Sequence, residues 1–207
     1  MAWAPDYVTT AELRAFLRIL DDVDDAQLAL AIAAASRAVD QATRRQFGVL
    51  SVAAARYYTV RQDDRRDAYV IDCDDLMSTS GFAAAADTEG DGTFSTSVTD
   101  YTLLPRNAAA DGEPWTQIVF GTASEVATTV DSIRVTALWG WTSVPDTVKQ
   151  ATLLQATRVL KRRDAPFGVA GSPDSGTEMR LLAKVDPDVA VLLRPYRRQL
   201  WAGAMFA

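Results

Sequence analysis

The residues of this 207-residue chain that could do chemistry are carboxylates, because histidine is absent and Cys73 is the single cysteine. Without histidine, the chain lacks the commonest general base and the commonest metal ligand. A lone cysteine forms no intramolecular disulfide, and without histidine Cys73 lacks the usual partner that would activate its thiol. These facts exclude the usual zinc sites and serine hydrolase triads, and we expect no cofactor.

One group of carboxylates has the composition of a nuclease metal site: Asp72, Asp74 and Asp75, with Asp63 and Asp64 nearby in sequence. Two-metal phosphoryl chemistry needs carboxylates that converge from different elements onto ions about 4 Å apart. Here they occupy successive positions at a predicted strand end, where alternate side chains point to opposite faces. We interpret the group as a solvated turn. A carboxylate-dependent hydrolase or nuclease remains the enzymatic alternative.

Two other segments resemble ligand-binding loops but lack an essential residue. Residues 87–92 begin like a calcium loop, yet Val98 stands where a bidentate glutamate is needed, so a hairpin turn is predicted. Residues 168–176 are rich in glycine but lack the Gly-Lys-Ser/Thr ending of a phosphate loop, so a linker is predicted. The sequence therefore predicts no catalytic residue and no metal site.

Helical patterns occupy the two ends of the chain. Thr9 and Glu12 have the spacing of a capping box, and a long alanine-rich helix is predicted to end near Phe47–Gly48. Pro145 is suited to the first position of a third helix, and Asp186–Pro187 to the start of a last one.

Between these helices, β-branched and aromatic residues alternate with turn-forming clusters, which predicts strands. The predicted fold class is α+β: a mainly helical bundle of about four helices, with an inserted small antiparallel β domain and an extended C-terminal tail. The predicted divisions are a helical pair at 1–50, the β domain at 51–142, a third core helix at 143–165, a flexible linker at 166–185, and a C-terminal helix with a docking tail at 186–207.

The overall charge argues against two classes of partner. A net charge of -6 and a pI near 4.7 predict no tight grip on a nucleic acid, since such proteins normally carry a basic surplus. The longest apolar run, residues 28–35, is far short of the roughly 20 residues that a membrane span needs. We therefore expect no membrane partner.

Basic helix ends and an apolar tail are the candidate partner-binding residues. The basic runs suit helix C-termini, and the alternative is that they face the acidic stretch 21–25 of a neighbouring copy. Tail aromatics favour an interface, whereas Trp139 and Trp141 favour core closure. The candidate interface residues are Arg44, Arg45, Lys161, Arg162, Arg163, Tyr196, Arg197, Arg198, Trp201, Met205 and Phe206.

Three groups of segments together resemble bacteriophage head–tail connector proteins, the portal-binding ring type also called head-completion or adaptor proteins. The first is residues 7–17, followed by an acidic break and an alanine-rich helix that ends at Arg44-Arg45-Gln46-Phe47. The second is Trp139-Gly140-Trp141 with Val144-Pro145, and the third is residues 186–198. Each motif alone is weakly specific, but their order and spacing span nearly the whole chain.

The resemblance implies a non-enzymatic structural subunit that forms a ring of about a dozen copies beneath the portal protein. It also implies that the ring extends the DNA channel, lets double-stranded DNA pass without sequence-specific binding, and attaches a tail-side neck or tail-terminator protein. The expected location is the head–tail neck of a virion, after synthesis in the host cytoplasm. The alternative is another neck or tail protein, such as a stopper or tail-completion subunit.

Overall fold

The computed structural model describes residues 3–20, 24–121, 126–164, 169–170, 179–180 and 186–198. The chain divides into two compact units. The helical unit comprises residues 1–47 and 144–207, and the β unit comprises residues 48–143.

The described residues contain five α-helices, and all but the third belong to the helical unit. They are α1 (Thr10–Leu17), α2 (Asp25–Thr43), α3 (Ala108–Asp111), α4 (Asp146–Asp164) and α5 (Pro187–Leu193), the last continued by a 3-10 turn at Arg194–Tyr196. No helix among the described residues is both long and apolar enough to cross a membrane.

The helical unit is built around the packing of α2 against α4. The predicted apolar stripe of α2 is buried at Leu28, Ile32 and Ala35, which pack with Leu13 of α1 and Ala156 of α4. Burial of this shared face, rather than intrinsic propensity, accounts for most of the stability of helices of this length.

Two predicted helix starts are confirmed. The Thr9 hydroxyl accepts the Glu12 N–H, and the Glu12 carboxylate accepts the Thr9 N–H, which completes the capping box. Asp186 caps α5 by accepting the Asp188 N–H at 2.9 Å, and Pro187 occupies the first turn.

The predicted end of the long second helix near Phe47–Gly48 is wrong by one turn. The helix ends at Thr43, and Arg44 takes a left-handed conformation in which its N–H donates to the Asp40 carbonyl at 2.7 Å. Glycine is the usual residue at such a position, so the sequence contains no strong signal for this end.

The strands of the β unit are β1 (Ala54–Tyr58), β2 (Arg61–Asp63), β3 (Ala68–Leu76), β4 (Ala83–Ala86), β5 (Thr96–Ser97), β6 (Tyr101–Leu104), β7 (Trp115–Gly121) and β8 (Ile133–Ala137). They form two antiparallel four-stranded sheets, with the orders β1-β8-β4-β5 and β2-β3-β7-β6. Two short strands of the helical unit, β9 (Val169–Ala170) and β10 (Met179–Arg180), form a separate antiparallel pair. They are the described residues of the predicted linker 166–185, whose other residues lie outside the described part of the chain.

Both large sheets contribute side chains to one core. In β8, residues 133, 135 and 137 are buried and the two between them are only half-buried, the alternation of a strand with one core-facing side. The core they enter also holds Ile71 of β3 and Phe120 of β7 from the other sheet.

The predicted fold class, a mainly helical bundle with a small β insert, is wrong. The protein is mixed, with about 35% helix and 25% strand, and it carries two four-stranded sheets. The physical reason is that the β segments bury a hydrophobic core of their own. A small insert packed on a helical bundle would share the core of the bundle instead.

Candidate partner interface

The base of the C-terminal tail is anchored on the helical unit by aromatic packing. Tyr196 packs edge-on against Phe47, with ring centroids 5.8 Å apart, and Phe47 in turn packs edge-on against Tyr7 at 5.5 Å. Phe47 and Tyr7 are buried, whereas Tyr196 is half-buried. This edge-to-face geometry is the favourable one for aromatic pairs.

A buried polar network holds Tyr7 in place. Its hydroxyl donates to the Asp40 carboxylate and accepts the Phe47 N–H at 3.0 Å, while Arg37 pairs with Asp40 at 3.0 Å. Burial is the main reason that the pKa of Asp40 lies above its ordinary value, and the Tyr7 and Arg37 contacts oppose this shift. The network is structural, since its oxygens are occupied by groups of the same unit.

The chain beyond Tyr196 is tied to the C-terminal end of α2. The Arg198 N–H donates to the Thr43 carbonyl at 2.8 Å, and the Arg197 Nε donates to the Ala42 carbonyl at 3.3 Å. The last carbonyls of a helix have no partner within the helix, and positive charge is favourable there. The structure therefore brings five predicted interface residues to one end of the unit, which we call the tail end: Arg44, Arg45, Tyr196, Arg197 and Arg198.

The other basic run lies at the opposite end of the same unit. Lys161 lines a groove together with Asp24 and Leu28 from the start of α2, so α2 and α4 run in opposite directions. Lys161 and Arg162 are exposed, and Arg163 belongs to α4 but its side chain is not described. Trp201, Met205 and Phe206 lie outside the described residues.

This groove, which we call the α2/α4 groove, has a volume of about 260 Å³ and is open on one side. Leu17, Ile19, Leu28 and Leu160 supply most of its apolar lining. The chain beside it carries further uncovered apolar surface, because Leu20 is fully exposed. Sequence patterns did not predict the groove, since its lining comes from three separated segments.

Three of the candidate nuclease carboxylates, Asp72, Asp74 and Asp75, lie within β3, so the interpretation of a solvated turn is wrong. Asp72 and Asp74 belong to β3, where they point to the same side. Asp72 accepts from Gln117 Nε2 at 2.7 Å, and Asp74 pairs with Arg56 at 2.5 Å and accepts from the Tyr58 hydroxyl at 3.0 Å. Among the described residues, no acidic or cysteine side chains form a group that could hold a metal ion.

Asp75 and the two tryptophans close the core where the sheets meet. Asp75 is buried and accepts the Trp141 indole N–H at 2.8 Å, and the Trp139 indole N–H donates to the Ala54 carbonyl at 2.8 Å. Leu76 at the end of β3 also forms a bridge with Trp139. Both tryptophans are buried, as the prediction of core residues requires, but their indole hydrogen bonds lie within the β unit and not where a sheet meets a helix.

The calcium-like segment forms the predicted hairpin turn. Asp87 accepts the N–H groups of Gly90 at 2.7 Å and Gly92 at 2.8 Å, and these backbone bonds, the Gly92 bond first, hold the pKa of Asp87 below its ordinary value. Gly90 and Gly92 both have positive φ, which glycine adopts without strain. The carboxylate thus stabilises the turn that connects β4 to β5.

No protein-family model matches this chain, and no curated protein matches it. Among solved structures, however, its fold is shared by chains that are parts of gene transfer agent particles.

The chain is similar to one from the neck of an empty gene transfer agent particle computed with C6 symmetry, with a TM-score of 0.56 and 18% identity, over 98% of this chain and 96% of that one. A chain from the virion of the native particle is similar at a TM-score of 0.57, with the same identity and coverage. A third, from the neck of the native particle computed with C12 symmetry, has a TM-score of 0.52, again with the same identity and coverage. At this identity the comparison establishes a common fold.

Proposed function

We propose that the chain is a structural subunit of the neck of a phage-like particle, a head–tail connector that forms a ring beneath the portal protein. The observation that carries this proposal is the shared fold, over 98% of the chain, with chains from gene transfer agent necks. The short segments that resemble connector proteins give separate support, because that resemblance is one of sequence and not of fold.

A ring of about a dozen copies requires two different surfaces on each copy, since head-to-tail contacts are heterologous. The helical unit has ends of different chemistry: the tail end carries Arg44, Arg197 and the chain leading to Trp201, and the other end carries the α2/α4 groove. One of the similar necks was computed with C12 symmetry and another with C6 symmetry, and both are compatible with a ring of about a dozen copies.

The proposed partners are further copies of the chain, the portal protein on one side, and a tail-side neck or tail-terminator protein on the other. Double-stranded DNA would pass through the lumen without tight binding, because the chain has a net charge of -6. At about 0.15 M salt, rings should leave duplex DNA unbound in a mobility assay. Strong binding would contradict this part of the proposal.

The role is structural rather than enzymatic. The carboxylates that could serve phosphoryl transfer are held by Arg56, Gln117 and Trp141 of the same unit, an arrangement that suits a rigid scaffold. Replacing Asp72 and Asp74 by asparagine should leave assembly unchanged. Loss of a divalent-dependent nuclease activity in that variant would favour the enzyme instead.

The experiment that tests the function is electron microscopy of the protein mixed with the portal from its own particle. We expect a ring stacked under the narrow end of the portal, and absence of any association would overturn the proposal. Rings that bind a tail-side protein but not the portal would identify a stopper or tail-completion subunit.

A truncated variant shows whether the tail takes part in docking. Deleting residues 199–207 removes Trp201, Met205 and Phe206 but keeps the anchor formed by Tyr196 and Arg198. We expect the variant to fold and to lose its association with the portal. The matched control is Val130→Ala, which shortens an exposed side chain of the β unit and should associate normally.

A further inference from the structure

We propose that the α2/α4 groove binds the Trp201 side chain of a second copy of this chain, so that copies join tail to groove. The inference deepens the proposed function and rests on it for the closed ring geometry. It assigns an occupant to a surface that the sequence did not reveal.

The chemistry of the groove suits one large apolar side chain. Its volume of about 260 Å³ is below the roughly 300–1,000 Å³ of small-molecule pockets. Leu17, Leu28 and Leu160 line it with aliphatic surface, while Asp24 and Lys161 stand among its polar lining. Aromatic anchors at interfaces typically insert into pockets that combine apolar contacts with a few polar groups.

The tail has the complementary composition. Beyond Arg198 it carries no charged side chain, and Leu200, Trp201, Met205 and Phe206 supply its large apolar groups. Two arginines precede these residues, whereas Asp24 belongs to the lining of the groove. The positive charge of the two arginines and the Asp24 carboxylate in the groove favour encounter in this orientation.

The covalent length of the tail favours an occupant from another copy. Arg198 is hydrogen-bonded to Thr43, the last residue of α2, and Trp201 lies only three residues further, at most about 11 Å away. Leu28 of the groove lies 15 residues before Thr43 on the helix, about 22 Å away. The backbone of Trp201 therefore falls short of Leu28 in its own chain, which favours an occupant from another copy. The resulting contact joins two different surfaces, the heterologous type that closes rings.

The first test measures binding of a fluorescent peptide of residues 196–207 to the full-length Trp201→Ala chain. We expect saturable binding, which Ile19→Glu weakens by at least about tenfold because it places a charge in the groove. Thr157→Trp should weaken it similarly, by filling the groove with an indole of the chain itself. Leu30→Glu, a matched change on the exposed face of α2, should change it less than about twofold.

Circular dichroism and thermal melting identify any groove variant that misfolds. Because one groove variant adds a charge and the other adds bulk, the test can still be made with the second if the first fails to fold. A Trp201→Ala peptide that binds as well as the natural peptide would overturn the proposal. Binding that is indifferent to both groove variants would overturn it as well.

The second test uses full-length chains and mass action. Ile19→Glu keeps its tail and Trp201→Ala keeps its groove, so neither should extend into oligomers alone. An equimolar mixture should form heterodimers and nothing larger, because each pair uses the one intact tail and the one intact groove. A mixture that stays monomeric while the natural chain oligomerises contradicts the proposal.

These outcomes separate this inference from the proposed function. If the peptide does not bind the groove but the natural chain still stacks beneath the portal, the groove assignment fails and the neck function stands. If the tail binds the groove as described but the chain binds neither the portal nor the tail-side protein, the contact between copies is real and the neck function fails.

Discussion

The two units of this protein use their polar side chains in opposite ways. In the β unit, Asp72 is bonded to Gln117 of its own sheet, Asp74 pairs with Arg56 of the other sheet, and Asp75 accepts the Trp141 indole N–H. In the helical unit, Arg44 and Lys161 stand exposed at opposite ends, and the α2/α4 groove opens beside the second of them. The difference teaches that these carboxylates are used to hold the fold together, whereas the ends of the helical unit present exposed charged side chains. We therefore propose that partners bind to the helical unit.

The largest expected effect is loss of the aromatic anchor that links the tail to the bundle. Phe47→Ala leaves a cavity between Tyr7 and Tyr196 and should lower the unfolding free energy by about 3–5 kcal/mol in denaturant titrations. Phe16→Ala, at a side chain 40% exposed, should cost well under half of that. Equal losses in the two variants would show that the anchor has no special role.

In the β unit, the matching test removes one buried hydrogen bond. Trp141→Phe deprives the buried Asp75 carboxylate of the indole N–H and should cost about 1.5–3 kcal/mol. Trp115→Phe removes an indole of similar size from a half-buried position and should cost less. Both variants are compared by chemical denaturation. If Trp141→Phe is neutral, Asp75 is not dependent on this donor, and the contrast between the units weakens.

The capping box should contribute about 0.5–2 kcal/mol, measured as the stability lost in Thr9→Ala. The same motif predicts a pH dependence. The Thr9 N–H, followed by its hydroxyl, holds the pKa of Glu12 below its ordinary value, so this stabilisation is present above the unfolded pKa and is lost as the pH falls through the folded one. Unfolding at a series of pH values should show a smaller acid loss in Glu12→Gln than in the natural chain. Parallel curves would contradict the assignment.

Asp40 should behave with the opposite sign. Burial raises the pKa of Asp40 in the folded state. Its contribution to the free energy of unfolding is therefore greatest below the unfolded pKa and is lost as the pH rises through the folded pKa.

The smallest effect is expected at two arginines that have nearly the same backbone conformation. Arg18 and Arg44 both end helices with positive φ, at 57° and 55°, where glycine is less strained. Arg18→Gly and Arg44→Gly should each raise the unfolding free energy by roughly 0.5–1 kcal/mol. Only Arg44→Gly should also weaken association of the chain in sedimentation experiments. If both variants associate equally well, Arg44 is not an interface residue.

Local chemistry explains what the sequence could predict. The capping box at Thr9, the Asp186–Pro187 start and the hairpin turn at Asp87 each depend on residues a few positions apart. The buried stripe of α2 follows in the same way from helical spacing.

Features set by tertiary packing were not predictable. The end of α2 at Arg44 has no glycine signal, and the carboxylates of β3 read as a turn because their partners Arg56 and Trp141 lie far away in the chain. The two four-stranded sheets of the β unit were not predicted for the same reason, since short strands give weak sequence signals until two sheets share one core. The α2/α4 groove and the anchor between Tyr196 and Phe47 depend on segments brought together only by folding.

The central claim is tested most directly by locating the chain in assembled particles of its own source. A copy carrying a small affinity tag is incorporated, the particles are labelled with gold-conjugated antibody, and the label is mapped by electron microscopy. The account predicts label at the junction of head and tail, and heads without attached tails when the chain is absent. Label on the head surface or along the tail, with normal tailed particles forming in the absence of the chain, would contradict it.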